Sequence, residues 1–204
     1  MNSTADSQIS SSALRAMNDA DVGDVASLHL DAFPNFFLSR LGPRALRELY
    51  SGMLADPTGI AIVAQKDQRI VGFTAGTTDS RSFYRRLFLQ RWRRFARAIA
   101  LRPGLIFRVA WRIGAAMSSR KRDRETVLLS LAVSPSEQRH GIGRSLVVEF
   151  VSAARARGAQ HVSLTTDAVD NERVQRFYES LGFRRRAQHM TPERRRIDEY
   201  VIDL

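Results

Sequence analysis

The sequence predicts a mixed α/β fold built around one sheet. Short runs rich in apolar and β-branched residues alternate with segments whose apolar residues recur at helical spacing. The run at 126–133 is almost continuously apolar, as in a strand buried on both faces, and a glycine-bearing loop joins it to an amphipathic helix.

The elements follow in chain order. Residues 1–12 are rich in Ser, Thr and Asn and read as a disordered tail. Residues 13–17 form a short strand. Asn18 or Asp19 then caps a helix at about 21–32, with Val22, Val25, Leu28 and Leu30 or Ala32 on one side. Phe33-Pro34-Asn35-Phe36-Phe37 interrupts it. Gly42-Pro43 opens a second helix that carries Leu46, Leu49, Tyr50 and Met53 on one face. The runs 59–65 and 69–77 pair as a hairpin through Lys66-Asp67-Gln68. A helical insert at about 79–124 follows. In it Phe83, Leu87, Phe88, Trp92, Phe95 and Ile99 make a stripe, Pro103-Gly104 breaks the helix, and Leu105, Val109 and Ile113 mark a second one. Pro135 ends the 126–133 strand. A helix at about 141–157 turns Leu146, Val147, Phe150, Val151 and Ala154 inward. A strand at 160–166 precedes a helix at 171–181, capped by Asn171 and closed by Gly182 in the left-handed conformation. Strands at 183–189 and 197–204 complete the chain, which has no internal repeat. Beyond the tail, residues 13–204 read as one domain with its insert.

Composition narrows the chemistry. At 204 residues, 44% apolar and 26% charged, the chain is expected to fold as a soluble globule. It has no cysteine, which excludes disulfides, thiolate zinc sites and a cysteine nucleophile, and no His/Asp/Glu spacing suggests another metal site. The first twelve residues lack the pattern of a signal peptide, and no stretch approaches the ~20 apolar residues of a membrane span. A cytoplasmic location is expected. Fourteen basic residues lie between Ser80 and Arg124 against one acid, Asp123; this net +13 leaves −2 for the rest of a chain whose total is +11. Such a patch attracts anions. A phosphorylated or nucleotide-linked amino sugar under a helical lid, an acidic lipid surface with Trp92 and Trp111 at the interface, and a solvated face of an ordinary helical hairpin all fit it.

Two segments carry chemistry. In the first, Gln138-Arg139-His140-Gly141-Ile142-Gly143 leaves the buried strand and opens a helix. Its glycines permit positive φ or close approach of a ligand, successive amides and the helix dipole favour an anion, and Arg144 and Ser145 add charge and a hydroxyl. A plain strand-to-helix turn would use the same glycines. In the second, Asn171 heads a helix with Val174, Phe177, Tyr178 and Leu181 on one side, and Gly182-Phe183 follows. That stripe also reads as core, but Tyr178 places a hydroxyl on it that requires a partner.

Together the two segments resemble the GNAT acetyltransferases: the pyrophosphate loop Gln/Arg-x-x-Gly-x-Gly/Ala as Gln138 to Gly143, and Asn-x5-Phe-Tyr-x3-Gly-Phe as Asn171, Phe177, Tyr178, Gly182 and Phe183. The specific resemblance covers about residues 125–190. It implies a GNAT fold in which the 126–133 and 160–166 strands splay apart and acetyl-CoA, the acyl donor, lies in the gap. Its pantetheine would pair with the strand at Leu131, Ala132 and Val133. The loop residues Gln138, Arg139, His140, Gly141, Ile142, Gly143, Arg144 and Ser145 would hold the pyrophosphate, with Asn171 and Phe177 on the pantetheine side. Transfer in the family is direct, and Tyr178 would protonate the departing thiolate. Glu125 is the leading candidate base, beside Asp167, Asp170 and a water relay. His29, His140, His161 and His189 carry no catalytic signal. The acceptor is expected between Phe33, Phe36, Phe37 and Arg40 on one side and residues 189–196 on the other.

The reading is an acetyl-CoA-dependent N-acetyltransferase acting on a primary amine of a small-molecule or amino-sugar acceptor. A peptide or protein N-acetyltransferase is the alternative enzyme, and a non-catalytic basic module binding nucleic acid or membrane the alternative of another class. No nucleic-acid motif is present, so that partner is not expected. An anionic ligand or membrane contact at the insert, and a monomer or homodimer, complete the expectations.

Overall fold

The computed structural model describes residues 12–34, 36–99, 125–191 and 194–204, with the backbone alone for Phe37, Phe88 and 91–99. The tail at 1–11 and the second insert helix at 105–113 lie outside the described residues.

Seven strands form one sheet in the order β1-β2-β3-β4-β5-β7-β6. They are β1 (Ala13–Ala16), β2 (Gly59–Lys66), β3 (Arg69–Thr77), β4 (Glu125–Val133), β5 (His161–Asp167), β6 (Arg184–Met190) and β7 (Arg196–Asp203). The helices are α1 (Val22–Ala32), α2 (Phe37–Arg40), α3 (Pro43–Ala55), α4 (Ser80–Ile99), α5 (Ile142–Ala156) and α6 (Glu172–Glu179). Among the described residues only β4 and β5 run parallel. The fold is therefore the expected mixed α/β sheet. The short helix α2, which begins within the Phe33–Phe37 interruption, was not legible in the sequence.

Local chemistry sets the element ends. Asn18 accepts from the amide of Ala20, while Asp21 reaches back to the Asn18 amide at 2.9 Å, a reciprocal cap on the 3-10 turn Asp19–Asp21 that leads into α1. Asp67 and Gln68 take positive φ (48° and 64°) in the tight turn between β2 and β3. Gly182, at φ +89°, ends α6 in the left-handed conformation, and the Phe183 amide returns to the Tyr178 carbonyl at 3.1 Å.

Two apolar layers cover the sheet. On one face α1, α3 and α4 bury Val25, Leu46, Tyr50 and Phe83 against Phe73 and Ala132. On the other, α5 and α6 bury Leu146, Phe150 and Tyr178 against Leu164 and Tyr200. Helix α4, the first part of the insert, is anchored by Phe83 and Leu87 and by Arg86, whose guanidinium meets Asp56 at 2.6 and 2.8 Å. A β-bulge interrupts β4. Ala75 faces Ser130 and Gly76 faces Leu128, which leaves Leu129 as the extra residue. Leu128 thus packs with the α5 layer and Leu129 with the α1 layer, and Ala132 remains on the α1 side. Gly76 is required here: a Cβ would run into the main-chain oxygen of Val127 and lie 2.5 Å from the Phe150 ring.

Candidate active site

The parallel pairing of β4 and β5 stops early. Glu125–Leu128 face His161–Leu164, and beyond them the strands share no register. The parting begins at the bulge. The Ser134 amide donates to Val71 at 2.8 Å, and in an antiparallel ladder the bonding residues alternate. Ala132 therefore bonds to β3, while Leu131 and Val133 aim their N–H and C=O into the gap. Ala132 is corrected on this point: its main chain is committed to β3 and its side chain is buried in the α1 layer.

The segment after β4 is a cradle of unpaired donors. A 3-10 turn at Pro135–Glu137 leads to Arg139 at φ +69° and Gly141 at φ +81°. Helix α5 starts at Ile142 with no side-chain cap, so its first amides, those of Ile142, Gly143 and Arg144, lack helical acceptors. These donors and the helix dipole suit an anion. The space is open, since a Cβ added at Gly141 would meet nothing within 4 Å. Glu137, the acid in the turn, is neutralised by Lys66 at 3.1 Å from both carboxylate oxygens. Gln138 folds back and donates to the Val133 carbonyl at 3.3 Å. Arg139 and His140 are exposed on the loop, and Ser145 is exposed in the first turn of α5. Arg144 donates to the Ser180 carbonyl at 3.1 Å, which ties the start of α5 to the end of α6. The Ile142 side chain is buried in the core, so only its main chain can serve a ligand.

Helix α6 brings the second motif to the same place. A methyl placed on Gly143 would touch the Phe177 ring at 3.6 Å and Val133 at 3.7 Å, so Phe177 stands where the loop and the strand end meet. Tyr178 packs edge-on against Phe177 and Phe183, with ring centroids 5.1 and 5.7 Å away. Burial pushes its phenol well above the ordinary range, so the group stays protonated. Its hydroxyl has no hydrogen-bond partner among the described residues. Neither is it one of the sealed, unpartnered atoms, which are those of His29, Ser39, Thr74 and Thr126. Asn171 departs from its expected cap: it sits at the N-cap position, but its amide donates to Thr166 at 2.6 Å and to the Asp167 carbonyl at 3.0 Å. That leaves its side-chain oxygen, the atom a pantetheine amide would need.

The candidate bases lie on the α1 side of the sheet. Arg186 donates to Glu125 at 2.7 Å and also, very closely, to Glu199, which His189 approaches at 3.4 Å. Burial alone would raise the Glu199 carboxyl, but the guanidinium outweighs it and holds the group below its usual range. Glu125 stands four residues before the bulge, about 13 Å along the strand, so it would act on the gap through water. Asp167 is held by Arg195 at 2.6 Å through both oxygens, and the same guanidinium covers the Phe36 ring at 4.7 Å. The α1–α2 connection thus meets the β6–β7 loop. Asp170 is exposed at φ +53°. The sequence reading missed Arg186, Glu199 and Arg195. Their only signal was alternation along β6 and β7, which does not say which residues meet across a face.

It also passed over His29. Its Nδ1 lies 2.6 Å from the Tyr50 hydroxyl, which Ser130 hydrogen-bonds in turn, and its Nε2 is sealed without a partner. Burial lowers its pKa to about 4.

A family model described as Acetyltransferase (GNAT) family matches residues 23–183, a span that includes the loop, the split strands and Tyr178. The chain belongs to the GNAT acetyltransferase family. Acetyl-CoA is the acyl donor of GNAT enzymes, and among the described residues no group of His, Asp and Glu could hold a metal. No curated protein matches the chain in sequence. Solved GNAT structures share the fold. A GNAT acetyltransferase from Desulfovibrio desulfuricans is 17% identical over 94% of this chain and 98% of its own, with a TM-score of 0.63. The ribosomal-protein-S18-alanine N-acetyltransferase from Escherichia coli is 15% identical over 94% and 92%, at 0.59. An aminoglycoside 6'-N-acetyltransferase complexed with coenzyme A is 14% identical over 94% and 96%, at 0.62. Among the described residues no helix is long and apolar enough to cross a membrane.

Proposed function

We propose that this GNAT protein transfers an acetyl group from acetyl-CoA directly to a primary amine of a small-molecule or amino-sugar acceptor. Two features that meet beside Phe177 carry this reading, the main-chain groups of Leu131 and Val133 and the unpaired amides at the start of α5; the unpartnered Tyr178 hydroxyl, on the next residue, supports the acid role. The Phe36–Arg195 contact favours a small acceptor over a peptide, because it joins the two loops that flank the acceptor side.

The donor supplies a thioester carbonyl activated for attack. The chain supplies position and protons. Amides of Gly143 and Arg144, backed by the α5 dipole, hold the diphosphate; Leu131 and Val133 align the arm along the strand edge. The Val133 N–H faces the gap and stabilises negative charge on the carbonyl oxygen. The acceptor loses one proton before attack, through Glu125 and intervening water. As the C–N bond forms and the C–S bond breaks, Tyr178 donates its proton to the leaving sulfur and is reprotonated from solvent. The attacking nitrogen gives up a second proton to water as the carbonyl re-forms, and its last proton stays on the product amide.

Isothermal calorimetry with coenzyme A tests the cradle, and absence of binding would end the reading. Acetyl-CoA thiol release tests the acid. Tyr178→Phe should lower turnover by roughly 10²–10⁴-fold while coenzyme A affinity stays near the unaltered protein's. Unchanged turnover removes Tyr178 from the mechanism.

A further inference from the structure

The α1 side of β5, β7 and β6 carries a polar wall with an incomplete charge balance. Leu164 faces Leu128 in the last parallel pair, so Thr165 stands level with the bulge residue Leu129. Glu199 pairs with Thr165, and Asp167 lies two residues further along β5. Alternation puts Asp167 and Glu199 on one face, as diagonal neighbours about 7–8 Å apart. One guanidinium, that of Arg186, serves both Glu199 and Glu125. Among the described residues Asp167 is neutralised by Arg195 alone, which reaches it from the β6–β7 loop and stacks on Phe36. A carboxylate beneath an aromatic face makes a seat for a cation. The pair is half-open to solvent, with Arg195 and Asp167 side chains 37% and 29% exposed, so the guanidinium can leave without stranding a buried charge.

We infer that the seat formed by Asp167 and Phe36 takes a second cationic nitrogen of the acceptor, and that Arg195 occupies it in the acceptor's place until the acceptor displaces it. The inference rests on the proposed acetyl transfer and names its substrate class: an amine carrying a further ammonium group. When Arg195 swings out, three carboxylates face one guanidinium, which favours a dication over a monocation of the same length. The reacting nitrogen lies towards Glu199 and the bulge, and the distal one at Asp167.

The test is acetyl-CoA thiol release with matched probes: cadaverine against pentylamine, and a 2,6-diamino sugar against glucosamine. The protein should use the dication of at least one pair about tenfold better in kcat/KM, and that pair identifies the alkyl or sugar frame. Asp167→Asn should collapse the dication-to-monocation ratio towards one. Arg195→Ala should raise it severalfold through a lower KM for the dication. Phe36→Leu, at a partly exposed position that tolerates change, provides a second route to a lower ratio. A purely structural role would move both amines of a pair alike and leave the ratio intact. Coenzyme A binding by calorimetry separates the two levels. A protein that binds coenzyme A yet shows equal use of the paired amines, no use of any, or a ratio indifferent to Arg195→Ala and Asp167→Asn overturns this inference alone. Loss of coenzyme A binding overturns the transfer reading beneath it.

Discussion

Acid should unfold this protein in part through His29. The ring is 3% exposed, its Nδ1 takes the Tyr50 hydroxyl at 2.6 Å, and its Nε2 is sealed. A proton on this ring has no counter-charge to meet, which lowers the pKa from 6.5 to about 4. In the unfolded chain the same histidine protonates near 6.5. Between those values the unfolded state binds the extra proton and the folded state does not, so stability falls as the pH falls. The full loss is about 3 kcal/mol, reached well below the lower value, and about 2 kcal/mol of it falls between pH 7.5 and 5.0. The slope fades as the pH rises through 6.5 and is nearly gone at pH 7.5. Against a typical total of about 5–15 kcal/mol the loss is large. Urea unfolding at pH 7.5, 6.0 and 5.0 on the protein and on His29→Gln reads it. Glutamine keeps an acceptor for Tyr50 and carries no proton. The stability of the protein relative to the variant should drop by about 2 kcal/mol across that range. A difference that is the same at pH 7.5 and 5.0 would show that the imidazole is not held neutral by its surroundings.

Three substitutions probe the frame of the site. Gly76→Ala places a methyl against the Val127 carbonyl and the Phe150 ring; it should cost about 1–3 kcal/mol in urea unfolding and move the bulge. Gly141→Ala has room for its methyl but not the conformation, at φ +81°; about 1 kcal/mol of strain should be relieved by reshaping the loop, with coenzyme A affinity in calorimetry falling more than stability. Arg86→Leu leaves the Asp56 carboxylate, 5% exposed, without its cation. Half the pair is solvent-screened, so about 2 kcal/mol is expected, together with faster amide exchange along α4.

The longer helices, the strands and the glycine turn between β4 and α5 could be read from the sequence because each is set by local chemistry. Gly141 and Gly182 sit where positive φ is needed, Pro43 opens α3, and the apolar run of β4 announces a strand covered on both sides. The approach of Phe177 to Gly143 was not legible in the sequence; the resemblance implied only that Phe177 stands on the pantetheine side. What could not be read was pairing across a face. Nothing local tells Arg186 that it will stand between Glu125 and Glu199, which are 61 and 13 residues away. Asn171 shows the limit of a local rule: it holds the cap position, yet the Thr166 hydroxyl and the Asp167 carbonyl compete successfully for its side chain. The bulge at Leu129 is equally invisible, since inserting one residue into an apolar strand leaves the composition unchanged.

The extra residue at Leu129 makes β4 two half-strands with opposite allegiance. Residues before it send their alternate side chains to one helical layer, and residues after it send the same parity to the other. Excising Leu129 would restore an unbroken alternation with every neighbour already on its proper face, Leu128 towards the α5 layer and Ala132 towards the α1 layer. The inserted peptide unit sits where β4 parts from β5, with Leu128 packed in one layer and Leu129 in the other, so a repacking mutation in either layer would be felt at that parting.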